Sequence, residues 1–352
     1  MAIYLDSKDL KELDQYFTLA SFFKGRLSDN YDFSGVDTVR VHTVQTVDLV
    51  DYTRSGANRY GTPSEIQDMV QSMKLSRDRA FTCTIDKGNR LQGGGRTEAG
   101  KVMRAEIDEK VIPDYDEYVL RVLCTKAGQM AVEGAALSNT NIVAAIINAG
   151  VALDEKKVPR ANRTLYIKPT QHAYLRLAPE WLGIDKAAQE HLDKGKVGVF
   201  DGNDVVSIPS SYWPAGVNFL LVYKESAVAP QQLDDTKIHQ DPPGLSGDLL
   251  EGRNIYDCFV KMAKADGIYA SLENTATRVA TPTASKSGTT VTLATTTAGA
   301  TMVYTRDGSD PRYSEHTSTG TSVTNVTTGE VIKAYAFKSG AFDSDVLTYV
   351  VA

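Results

Sequence analysis

Apolar and polar positions alternate along this chain with two periods, and the changes of period outline its elements. Near the start, Leu10, Leu13 and Phe17 recur at helical spacing. Ser7 stands where an N-cap oxygen is needed, so a helix is expected over Lys8–Phe17. Val39, Val41, Val47 and Leu49 then share one parity within Val36–Val50, which reads as a long strand. A second strand over Arg79–Asp86 puts Phe81, Cys83 and Ile85 on one face. Between the two, Thr62-Pro63-Ser64-Glu65 has the form of a capping box with Pro at the first helical position. Ile66, Met69, Val70 and Met73 follow at 3.6-residue spacing, so the connection is expected to hold a short helix. Two strands joined this way make a hairpin arm with too little around it to stand alone.

After the Gly93–Gly95 turn, Val102, Ala105, Val111, Ile112, Tyr115, Val119, Val122 and Cys124 mark a helical stretch over Thr97–Met130. Pro113 should kink or split it. Unbroken, it would run roughly 50 Å at 1.5 Å per residue, longer than one compact domain needs. Helices are expected at Ile142–Leu153 and after Thr170, where Tyr174, Leu175 and Leu177 lie. Strands are expected at Thr164–Ile167, Val205–Ile208 and Phe219–Tyr223, and the apolar run Ile255–Tyr269 closes the series. Helices and strands intermix without clean βαβ repeats, which favours an α+β class.

Near residue 276 helical spacing disappears and threonine becomes abundant. Short strand candidates at Thr290–Ala294, Thr301–Arg306, Val331–Phe337 and Val346–Val350 are separated by turns such as Arg306–Pro311. Within Val331–Phe337, Ile332, Ala334 and Ala336 alternate with Val331, Lys333, Tyr335 and Phe337, suiting one face to a core and one to solvent. The tail is therefore expected to be a small all-β sandwich, reached through a polar linker that begins at Glu273.

At 352 residues the chain has room for two or three domains, and its 42% hydrophobic and 23% charged residues are ordinary globular usage. Acidic residues outnumber basic ones 44 to 38, whereas a chain that worked by gripping phosphate backbones would lean basic. No basic stretch followed by an apolar one opens the sequence, and no apolar run is long enough to span a membrane as a helix. Cys83, Cys124 and Cys258 lie far apart with no CxxC pair and read as buried thiols in a reducing compartment.

Candidate chemistry is sparse. Gly95–Lys101 fits a Gly-x4-Gly-Lys core, but Val102 stands where a magnesium-binding hydroxyl is required, so a turn into a helix is expected instead. His42, His172, His191, His239 and His316 show no metal-ligand spacing. Asp201–Asp204 lacks the distal Glu of a calcium loop. Asp114, Asp116 and Glu117 point in different directions on a helix and read as solvated. No nucleophile elbow and no activated cysteine occurs. No catalytic, cofactor or metal site is expected.

The segment Phe81–Lys87 (FTCTIDK), followed after a Gly-rich turn by Arg104–Tyr118 (RAEIDEKVIPDYDEY), resembles the hairpin-to-spine-helix passage of tailed-bacteriophage major capsid proteins. Arg163–Pro169 (RTLYIKP) with Tyr174 and Leu175, Gly198–Gly202 (GVFDG) with Val205 and Val206, Lys224–Ala227 (KESA) and Tyr256–Val260 (YDCFV) continue the resemblance in family order. The likeness covers about residues 1–272. It implies the fold shared by tailed phages, herpesvirus shell floors and encapsulins. The expected parts are an N-terminal arm (1–35), an extended loop (36–95), a peripheral domain with a spine helix (96–137 and 244–272) and an axial domain (138–243). No coiled-coil segment precedes the arm, so the resemblance implies a separate scaffold or none. Thr295–Pro311 (TTTAGATMVYTRDGSDP) and Ile332–Gly340 (IKAYAFKSG) with Ser344 resemble the small Ig-like domain at the C-termini of chitobiases, giving a linker at 273–282 and a sandwich at 283–352.

The resemblance implies a structural protein that assembles with itself into hexamers and pentamers of an icosahedral head around double-stranded DNA. Portal, scaffold and decoration proteins are its implied partners, with no membrane. It implies a virion protein assembled in a bacterial cytoplasm, carrying its Ig-like domain outside. The apolar stripes Leu10, Leu13, Phe17 and Ile66, Met69, Met73 are the inter-subunit contact candidates. Tyr304, Tyr313 and Tyr335 are candidates for weak stacking on glycans. An encapsulin-like compartment around an enzyme cargo and a carbohydrate-binding adhesin are the competing readings.

Overall fold

Strands β1 (Thr38–Val44) and β2 (Asp68–Lys74) pair antiparallel, in a register running from Thr38↔Lys74 to Val44↔Asp68. They belong to a computed structural model that describes residues 20–31, 33, 36–44, 46, 49–61, 68–92, 98–178 and 198–352. The helix expected to carry Met69 and Met73 is a strand. Met69, Gln71 and Met73 also share a two-residue spacing, and so short a run does not separate the two periods. Pairing with β1 decides it, because Val39 and Val41 stand opposite Met73 and Gln71 on one face. That face closes over Phe33 and Val228 in a small core of its own.

The chain then enters β3 (Arg77–Asp86), the short helix α1 (Lys87–Gln92) and a long helix in three pieces. These are α2 (Ala99–Glu106), a π turn (Ile107–Val111) and α3 (Ile112–Thr125). Pro113 does not break the helix. Its ring would strike the carbonyl one α-turn back, and the wider π turn immediately before it takes up that clash and the missing N–H. From Ala99 to Thr125 the helix is about 40 Å long.

Beyond it come β4 (Gln129–Val132), α4 (Ile142–Glu155), β5 (Arg163–Ile167), α5 (Pro169–Leu177), β6 (Val199–Phe200), β7 (Asn203–Ser207) and β8 (Val217–Tyr223). The body ends with β9 (Ala227–Val228), β10 (Gln231–Gln240), β11 (Gly247–Tyr256), β12 (Phe259–Val260) and β13 (Ile268–Leu272). A mixed sheet of order β4-β13-β8-β5-β7-β6 is the centre of the body. It takes strands from both sides of the divisions drawn at 137/138 and 243/244. Its inner strands are apolar on both faces, as doubly covered strands must be. Leu220 and Val222 pack with Val119, Leu120 and Leu123 of α3. Phe219 and Leu221 pack with Ile142, Ile146 and Leu153 of α4.

β3 does not pair with the Val36–Val50 segment, contrary to the hairpin expected from the sequence. It is the outer strand of an antiparallel sheet of order β10-β11-β3, with Gly247↔Asp86 and Tyr256↔Arg77 at its ends. The Phe81 ring lies across Gly252 of β11, where a Cβ would approach it to 2.1 Å.

The C-terminal part is a two-sheet sandwich. β14 (Thr283–Ser287), β15 (Thr290–Ala294) and β18 (Ser322–Val323) form one sheet. The other has the order β17 (Ser318–Thr319), β16 (Thr301–Thr305), β19 (Val331–Phe337) and β20 (Leu347–Val350). Val291, Leu293, Met302, Val323, Ile332, Ala334 and Ala336 fill the space between. The segment expected as a linker is held by contacts to both parts of the chain. Val279 is part of the sandwich core, and Arg278 donates from Nη1 to the Met130 carbonyl at 2.8 Å.

Candidate assembly surfaces

Residues 20–31 begin alongside the long helix. Asp116, on α3, is 1% exposed and accepts hydrogen bonds from the Ser21 hydroxyl (2.7 Å) and the Phe22 N–H (3.0 Å). Burial pushes its carboxyl above the usual range, and the two donors act in the opposite direction. Phe23 and Leu27 enter the main core, with the Phe23 ring 4.9 Å from that of Tyr166. Further on, Lys261 Nζ donates to Ser28 Oγ at 2.8 Å, and Asn30 Nδ2 donates to Glu225 at 2.7 Å. Burial lowers the Lys261 pKa, and neighbouring Glu225, 3.6 Å away, acts against that.

This segment, the π turn and β9–β10 enclose a groove of about 650 Å³, whose apolar lining includes Leu27, Tyr31, Phe33, Ile107, Ile112 and Tyr115. Asn254, 5% exposed, also borders it, and its side-chain amide N–H has no partner among the described residues. The sequence beyond β1 presents the opposite shape. Leu49 is fully exposed and Tyr60 is 86% exposed, with Val50 and Tyr52 also facing solvent. The Tyr52 and Tyr60 rings meet edge to face, 4.9 Å apart. A third surface lies on α4, which is apolar nearly all round. Ile147 and Val151 point outward while Ile142, Ile146 and Leu153 fill the core.

The sandwich sits against the body. Arg312 Nη1 donates to the Ala127 and Gly128 carbonyls at 3.2 and 3.1 Å, just past the end of α3. Its other nitrogens bind the Asp310 carboxylate at 2.8–3.3 Å. The Tyr313 hydroxyl donates to the Lys126 carbonyl at 2.7 Å, and burial pushes its pKa well up. Gly128 admits no side chain here, because a Cβ would stand 2.1 Å from the Ala265 carbonyl oxygen.

Residues 280–348 match the family model of the chitobiase/beta-hexosaminidase C-terminal domain. Solved structures resemble the larger part of the chain. A chain of Mycobacterium phage Che8 superposes with a TM-score of 0.64 at 17% identity, covering 76% of this chain and 97% of that one. A chain of the capsid structure of cyanophage P-SCSP1u gives 0.57 at 12% identity, covering 76% and 92%. One from the mature capsid of bacteriophage PhiM1 gives 0.57 at 12% identity, covering 78% and 93%. The body has the phage capsid fold. No curated protein matches the sequence.

The α+β class holds for this capsid fold, with its long helix and its separate C-terminal β-sheet domain. Of the contact candidates, Leu10, Leu13, Phe17 and Ile66 lie outside the described residues. Met69 is half-buried. Met73 is 0% exposed and packs on its own chain, so it is not free to meet a neighbour. Tyr304, Tyr313 and Tyr335 form no common stacking face. Tyr304 packs on the sandwich core, and Tyr313 on the body. Tyr335, opposite Val303 on the other face of the sheet, is buried, which pushes its hydroxyl up to about 12.

The solvated reading of Asp116 also fails, as does that of Asp114. Asp114 binds Arg79 at 3.2 Å and accepts from the Tyr256 hydroxyl. Glu117 is exposed as expected. His42 pairs with Asp68 at 2.6 Å and His239 with Glu251 at 3.2 Å. Among the described residues no three ligating side chains gather around a point, and no helix is long and apolar enough to cross a membrane. Of the phosphate-loop match, Lys101 pairs with Glu98 at 3.4 Å, and residues 95–97 lie outside the described set.

The sequence reading missed Arg312 and Arg278, the two cations at the seat of the sandwich. The available signal was local. Asp310 accepts the N–H of Arg312 two residues on, a turn that aims the guanidinium away from the sandwich.

Proposed function

We propose that this chain is the major capsid protein of a tailed phage or a related particle, a structural subunit whose work is self-assembly. The observation that carries this reading is a mismatch within one subunit. It has an exposed apolar hairpin tip (Leu49, Val50, Tyr52, Tyr60) that nothing on its own chain covers among the described residues. It also has a groove beside the long helix, lined in part by Leu27, Phe33, Ile107 and Ile112, that none of the described residues fills. Two unlike surfaces on one chain make a head-to-tail contact, which closes into rings when the rotation permits. Each large side chain buried this way contributes about 1.5–3 kcal/mol. Several such contacts per subunit multiply into a stable shell.

In this reading residues 1–35 are the arm and 36–95 the extended loop. Residues 96–137 and 244–272 form the peripheral domain with the spine helix, and 138–243 the axial domain. The rings are hexamers and pentamers, tiled into an icosahedral head. The net charge of −6 suits double-stranded DNA held by confinement rather than by tight basic contacts. The sandwich (283–352) lies on the outer surface, and separate scaffold and portal proteins complete the particle. The test is Leu49→Asp with Tyr60→Asp in the full chain, followed by sedimentation and electron microscopy. Shell yield is expected to fall at least roughly tenfold while the unfolding midpoint stays unchanged. Normal yield would remove the hairpin from the contact.

A further inference from the structure

The sandwich touches the body at two places that belong to different elements. One is the C-terminal end of the long helix. The chain leaving the helix exposes the carbonyls of the C-cap residue Lys126 and of Ala127 and Gly128, which follow it. Here the Tyr313 hydroxyl and the Arg312 guanidinium bind the carbonyls of Lys126, Ala127 and Gly128. Arg312 is 7% exposed at its side chain and is held from behind by Asp310, so both partners of the pair are fixed before they meet the helix. Tyr313, Ala276 and Phe342 add apolar contact to the main core at the same seat, and Arg278 binds the carbonyl of Met130, the second residue of β4.

The second place is the hairpin. The Glu315 N–H donates to the Val70 carbonyl in the middle of β2 at 3.1 Å, and the Glu315 carboxylate pairs with Arg40 of β1 at 3.0 Å. Only Ser314 lies between Tyr313 and Glu315, so one short stretch of chain ties the hairpin to the end of the long helix. A two-stranded hairpin has little stability of its own, and its direction depends on what holds its base.

We propose that the C-terminal sandwich is an internal brace, seated on the end of the long helix and on strand β2, that fixes the angle at which the hairpin leaves the body. The sandwich thereby sets the geometry of assembly rather than only covering the surface. The brace itself stands on the contacts above; its importance for assembly rests on the function proposed in the preceding section.

The test uses the full chain and two variants. Tyr313→Phe with Arg312→Lys weakens the helix seat with little loss of volume, and Arg40→Ala with Glu315→Ala removes the exposed ion pair to the hairpin while leaving the Glu315 N–H bond to Val70. Hydrogen exchange is followed in the strands 38–44 and 68–74, in 126–130, and in the sandwich core strand 331–337. Each variant is expected to speed exchange in the hairpin strands roughly tenfold while the sandwich core keeps its protection. Shell yield should fall with it. Unchanged hairpin exchange in both variants would overturn the brace, whatever happens to shells. Faster hairpin exchange with normal shells would overturn its role in assembly. If even the unaltered chain forms no shells, the assembly reading fails while the exchange data still decide the brace.

Discussion

Asp116 shows how much of the body can hang on one side chain. Its two oxygens hold Ser21 and Phe22, and through them the segment that leads Phe23 and Leu27 into the core. Asp116→Ala leaves a half-buried hydroxyl and a half-buried N–H without their acceptor, so a loss of about 1–3 kcal/mol is expected in denaturant unfolding. The pH dependence has a definite sign. Burial raises the folded pKa above the unfolded 3.8, so the folded state keeps the proton to higher pH than the unfolded one. The natural chain should therefore gain stability relative to Asp116→Asn as pH falls through the raised pKa towards 3.8, and the difference should be flat above it. Unfolding both proteins at a series of pH values checks this; a parallel pair of curves would contradict it. A helix position in DYDEY gives no hint of this role, because the partner lies 95 positions away. Tyr335 was hidden for a different reason: its face of β19 alternates as an exposed face should, yet it is buried.

At the scale of elements, most helices and most apolar strands were legible, because burial on one or both faces writes a period into the sequence. α4, β8 and β19 lie where their patterns put them. β10 was not legible. QQLDDTKIHQ has almost no apolar parity, and it is a strand because β11 supplies hydrogen bonds along its whole length. Missing β10 left β11 without its hairpin and β3 without its true partner. β2 was misread because seven residues fit two periods equally well. The close approach of β3 and β11 carries its own prediction. Gly252→Ala pushes the new methyl into the Phe81 ring and should cost about 1–3 kcal/mol. Phe81→Leu in the same chain should recover part of the loss, measured as the unfolding midpoint of the double variant against each single one.

For the whole molecule, the capsid fold was legible from an ordered set of short segments, and the sandwich from its turn and strand pattern. The way the two are joined was not. A polar stretch between domains reads as a spacer, and only the structure shows Arg278, Arg312 and Tyr313 bound to backbone carbonyls of the body. Contacts of this kind involve single side chains at the ends of elements, so they leave no periodic trace. The surfaces that matter for assembly share that property, since an exposed Leu49 or Tyr60 looks like an ordinary loop residue until the groove beside the long helix is seen. The most direct test of the central claim is an electron cryomicroscopy reconstruction of particles formed by the purified chain. The account predicts closed shells in which the tip carrying Leu49 and Tyr60 enters the neighbour's groove at Ile107 and Ile112. A chain that stays monomeric at every concentration, or shells in which that groove is empty, would contradict it.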